Sequence, residues 1–237
     1  MRRGLGASVV SALLLALPLV ASAAHQTMVL PTLLGEYHLT YDNRKVSEAD
    51  LRPLVILSPH LAGWNSIAVT PRLERCVVGE TEYLDCRDRS VRSPTFLWNA
   101  RVNLKRGLAT LDSLRAMRAP AELDPVVTWL QSSLAFSLWL EETKLEFYQT
   151  GDVNVLRRRY GELDPGRGCE SALTQVERGA AASSAQYDML VLPWHNCVND
   201  LFRRRLGDYP IAAWQRFLSK WGIQERFVEL LPQASGR

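Results

Sequence analysis

The sequence predicts a mainly α-helical, disulfide-stabilised bundle preceded by a small N-terminal part of irregular chain and β-hairpin. Three observations carry this expectation. From Ser93 onward, apolar residues recur at three- and four-residue steps, the spacing that puts them on one face of a helix. Before Ser93 such stripes are absent, and short alternating runs sit among turn residues. Four cysteines, Cys76, Cys86, Cys169 and Cys197, follow an export-type leader. An even count in an oxidising compartment reads as two disulfides.

The leader comes first. Arg2 and Arg3 precede an apolar run from Val9 to Val20 and the small residues Ala21 to Ala24. That is the pattern of a Sec-type signal peptide, and the apolar run is short for a membrane span. No cysteine lies near the expected cleavage site, so a lipoprotein is not indicated. The expected division is a signal peptide over 1–23, an irregular segment with short strands and a hairpin over 24–92, a helical bundle over 93–232 and a flexible tail over 233–237. Loss of Arg2 and Arg3 lowers the formal net charge from +3 to +1, which gives no general reason to expect nucleic acid as a partner. The expected location is secreted or periplasmic, with no transmembrane segment in the mature chain.

In the N-terminal part, "GEYHLTYDN" (Gly35 to Asn43) alternates as a strand. Ser47 and Asp50 form a helix-start pattern that Pro53 limits. "RCVVGETEYLDC" has two apolar pairs around Gly79-Glu80 and reads as a hairpin; a Cys76–Cys86 bridge, whose midpoint Thr81 lies close to that turn, would close it.

The helical part opens with Ser93 as N-cap and Pro94 at the first helical position. Leu97, Leu104 and Leu111, joined by Ala100, Leu108 and Leu114, make the stripe expected to face the core. The run Val126 to Leu140 carries no charge and needs cover on most sides. Gly151 ends that helix, and Asp152 caps a short one. A stripe from Cys169 through Leu173 and Val176, and another through Leu190, Trp194, Cys197 and Leu201, predict two antiparallel helices joined within Gly179 to Ala185. The midpoint of Cys169 and Cys197 falls in that segment. A bridge between them needs Cα atoms within about 7 Å, which a packed hairpin provides and one continuous helix forbids. The final segment predicts a helix through Ile211, Trp214 and Trp221, then a break at Gly222 and a last turn with Phe227 and Leu230.

The functional signals are few. "PWHNCVND" (Pro193 to Asp200) concentrates polar groups, but residues two apart on a helix diverge by about 200°. His195 is therefore badly placed to activate Cys197 as a nucleophile, and His195 and Asn199 remain candidate pocket or surface residues. The scattered histidines lack zinc-ligand spacing. No metal or cofactor is expected, although a mature N-terminal His25 would be a conceivable copper chelator. Arg157, Arg158 and Arg159, and Arg203, Arg204 and Arg205, are expected near helix C-termini, where cations complement the helix dipole. On one face they could meet an anionic surface or an acidic partner. Most of the tryptophans fall on apolar stripes and read as core. The function expected is non-enzymatic binding or interaction with an unknown protein or envelope component. The alternative is a cell-envelope hydrolase using a carboxylate among Glu141, Glu142 and Glu146.

Overall fold

The computed structural model describes residues 24–31, 35–61, 76–78, 81–83, 94–163, 168–180 and 187–229. The leader, Cys86, Ser93, the reversal after Ala180 and the tail all lie outside the described residues.

Strand β1 (His25–Pro31) pairs antiparallel with β2 (Gly35–Asp42), and β2 pairs on its other side with β5 (Gln224–Glu229). Strand β2 has the alternation that the sequence showed. Tyr37, Leu39 and Tyr41 point into the core with at most 2% exposure, while Glu36, His38 and Thr40 lie on the other face. Two sequence expectations are corrected here. His25–Pro31 is a strand rather than irregular chain, and the segment read as a last helical turn is β5. Gly222, at φ 63°, caps the preceding helix in the left-handed conformation and turns the chain into the sheet. A polar group ties this end of the sheet to its helix. The Glu225 carboxylate accepts from Tyr37 Oη (2.7 Å) and from Trp214 Nε1 (3.0 Å).

Ser47 caps helix α1 (Glu48–Leu51), accepting from the Asp50 amide at 3.2 Å. The chain then tightens into a 3-10 segment, Arg52–Leu57, with Pro53 in its first turn. Strands β3 (Cys76–Val78) and β4 (Thr81–Tyr83) form the expected hairpin. Its register sets Cys76 opposite Tyr83 and Val78 opposite Thr81.

The helices are α2 (Pro94–Ala116), α3 (Asp124–Thr150), α4 (Val153–Leu163), α5 (Glu170–Ala180), α6 (Tyr187–Leu206) and α7 (Ile211–Trp221). Gly151, at φ 69°, stops α3, and Asp152 Oδ1 accepts from the Asn154 amide at 2.9 Å to start α4. Among the described residues, no helix is long and apolar enough to cross a membrane.

Helix α3 is the spine between two hydrophobic cores. Its first half sends Val126, Leu130, Leu134 and Leu138 into a core shared with the three-stranded sheet, the 3-10 segment, α2 and α7. Its second half sends Leu140, Phe147 and Tyr148 into a core shared with α4, α5 and α6. The long, nearly charge-free run of α3 follows from this position, because different faces are covered along its length.

The second core contains the predicted helical hairpin. Cys169 and Cys197 are bonded, with Cα atoms 5.8 Å apart. Cys169 is fully buried, and Val191, Trp194 and Val198 line the facing side of α6. Next to the reversal of the hairpin, a Cβ on Gly179 would collide with the Leu190 side chain. Glycine there permits the close approach of α5 to α6.

Candidate functional site

Among the described residues, two groupings of polar side chains bear most on function. The first is inside the molecule, where α3 meets α6. Glu141 and Lys144, one turn apart on α3, form an ion pair at 2.6 Å with side chains only 6% and 11% exposed. Burial pushes the Glu141 carboxyl up from its usual range, and Lys144 acts against that rise. His195 approaches the same region from α6. Its ring is largely buried, and Nδ1 has no hydrogen-bond partner among the described residues; the fully buried Trp194 is in the same position at Nε1.

His195 is thus neither a solvent-facing residue nor a partner for Cys197, whose sulfur is bonded to Cys169. Burial, reinforced by the charges of Lys144 and Arg203, pushes the imidazole down to about 4. A base depressed from 6.5 in the unfolded chain contributes stability that is full above pH 6.5 and lost as pH falls through 4. Unfolding measured from about pH 7 to about pH 4 is expected to show stability falling with acidification, and His195→Gln is expected to flatten that slope. The Asp42 carboxyl does not confuse the window. Two hydrogen bonds from the Arg44 guanidinium, both 2.9 Å, and one from its amide hold it well below the usual carboxylate range, so its contribution is lost at lower pH.

The second place is a solvent-open groove of about 370 Å³ between α2 and α3. Arg101, Leu104, Lys105 and Leu108 form its α2 wall. Glu142, Leu145 and Glu146 belong to the α3 wall. Leu108 is 52% exposed, the highest value among the large apolar side chains described as exposed. This departs from the sequence expectation that Leu108 shares the core stripe. The buried face of α2 centres on Ala100, Gly107, Leu111 and Leu114. At about 100° per residue, Leu108 lies about 90° around the helix from that centre, on the flank with Arg101.

The arginine triplets separate. Arg157, Arg158 and Arg159 lie within α4 rather than at its C-terminus, and all three are engaged. Arg157 pairs with Glu177 and donates to Asn154, Arg158 pairs with Glu146 at 2.6 Å, and Arg159 reaches Glu142, Glu146 and Glu162 at 3.5–3.6 Å. They bind α4 to α3 and α5. Arg203, Arg204 and Arg205 do occupy the last turn of α6, where Arg205 donates to the Leu163 carbonyl at 3.2 Å and Arg204 to the Asp200 carbonyl at 3.3 Å. Asn199 is half-buried.

The arrangement offers binding surface more readily than reaction chemistry. Glu141 is only 6% exposed, and of the groove glutamates Glu146 accepts from Arg158 at 2.6 Å while Glu142 stays 61% exposed. Among the described residues, no three His, Cys, Asp or Glu side chains gather as metal ligands would. Sequence reasoning singled out the glutamates but missed the approach of His195 to Lys144. The signal in the sequence was the group of charged residues, Glu141, Glu142 and Lys144, that ends the charge-free run of α3. Set against known proteins, the chain matches no family model, no curated protein and no solved structure.

Proposed function

We propose that the protein is an exported interaction protein, periplasmic in a bacterial cell, that docks a partner in the groove between α2 and α3. The observation that carries the reading is Leu108, a large apolar side chain standing half exposed over a groove with opposite charges on its walls. Apolar surface rimmed by charge is the usual composition of a docking site. Export is supported by the leader pattern of the first 23 residues and by the Cys169–Cys197 bridge, a bond suited to an oxidising compartment.

The carboxylate hydrolase has less support. A general acid must reach the bond it protonates. Glu141, whose carboxyl is pushed up by burial, sits against Lys144 with 6% exposure. The docking reading is tested by comparing position 108 with Leu192, a leucine of α6 that is 43% exposed and does not line the groove. A docked partner contacts position 108 and not position 192.

A further inference from the structure

The composition of the groove points beyond its exposure to an occupant, whose identity rests on the docking reading. Its two walls are stripes of the same period. Arg101, Leu104, Lys105 and Leu108 are spaced i, i+3, i+4, i+7 on α2, and Glu142, Leu145 and Glu146 continue the matching spacing on α3. One wall is basic and apolar, the other acidic and apolar. Among the described residues, Arg101 and Lys105 form no ion pair with the acidic wall. Glu142 remains 61% exposed, with Arg159 at 3.6 Å.

We propose that the occupant of this groove is a second copy of the same chain, related by a two-fold axis. A two-fold interface places the same patch on both sides, so the patch must complement itself. A surface of one charge cannot do so, whereas this groove can. Rotation brings the basic α2 stripe of each copy to the acidic α3 stripe of the other and makes both sets of pairs at once. Leu108 of each copy then enters the other's groove, where Leu104 and Leu145 receive it. The leucine supplies apolar burial, and the charges set register and exclude the face-to-face arrangement of like stripes.

The test is sedimentation equilibrium on the full mature chain with its disulfide intact. The expected result is a dimer that weakens as salt rises, since the rim pairs are exposed and screened. Leu108→Lys, a change at an exposed helix position, is expected to weaken the dimer at least about tenfold while leaving unchanged the circular dichroism melt recorded at concentrations low enough to keep the wild type monomeric. The charge-reversed variants Arg101→Glu/Lys105→Glu and Glu142→Lys/Glu146→Lys are each expected to be monomeric, and an equimolar mixture of them is expected to dimerise. If the second variant loses its melt because Arg158 and Arg159 are stranded, Leu108→Lys and the first variant still decide. A monomeric wild type, or a dimer unaffected by both of these changes, overturns the proposal. A monomer in which position 108 still contacts a different molecule overturns self-association and leaves the docking reading standing.

Discussion

Lys144→Met is expected to destabilise the protein by about 3–5 kcal/mol, because it strands a buried carboxylate. Glu141 is 6% exposed, and its charge partner is Lys144, at 2.6 Å. Removing the cation leaves Glu141 either charged in an apolar interior or forced to take up a proton. Two companion results are expected from that cause. Acidification is expected to shrink the loss, since burial already pushes the Glu141 carboxyl up and protonation removes the stranded charge. The double change Glu141→Leu/Lys144→Met is expected to recover most of the stability, because apolar groups of similar volume need no desolvation. Urea unfolding of wild type and both variants at neutral and acidic pH checks this. A single variant within about 0.5 kcal/mol of wild type, the size of an ordinary surface substitution, would show that the pair is solvated rather than buried.

Removing the bridge is expected to cost about 3–4 kcal/mol. Cys169 and Cys197 close a loop across 28 positions, and the chain-entropy relation gives a penalty of that size for the freed unfolded chain. The double variant Cys169→Ala/Cys197→Ala is expected to show it in chemical denaturation. The effect should centre on the α5–α6 hairpin, because Leu173, Val176, Val191, Trp194 and Val198 pack between these helices and beside α3. Amide exchange is therefore expected to quicken first in α5 and α6. Protein made without its leader in a reducing cytosol is expected to lose at least as much stability as the double variant. A loss below about 1 kcal/mol would mean that the packed hairpin holds its shape without the bond.

The helical part was legible where local chemistry decides the outcome. Gly151 and Gly222 stop helices in the left-handed conformation, Ser47 and Asp152 start them, and the midpoint of the two distal cysteines marks the reversal between α5 and α6. These signals act within a few residues of where they are read. Strand β5 was not legible, because its pairing with β2 joins positions nearly the whole described chain apart, Tyr37 facing Phe227. Gln224–Glu229 has only weak alternation to announce a strand. Leu108 was misplaced for a different reason. A leucine four residues from Leu104 satisfies a helical stripe, but the actual buried arc is set by α3 and includes Gly107, which no apolar scan would choose. The environment of His195 was hidden because its neighbour Lys144 lies on another helix. The polar cluster seen in "PWHNCVND" consequently dissolves by direction: Trp194 and Val198 enter the core, Cys197 bonds to Cys169, and His195 is part-buried within reach of the Lys144 charge.

Docking in the groove between α2 and α3, as proposed, puts the partner against position 108. A photoreactive amino acid at position 108, compared with the same group at position 192, tests it in cells exporting the protein. A discrete cross-linked adduct is expected from position 108 and none from position 192, with twice the chain mass if the occupant is a second copy. No adduct from position 108, or equal labelling from both positions, would contradict it.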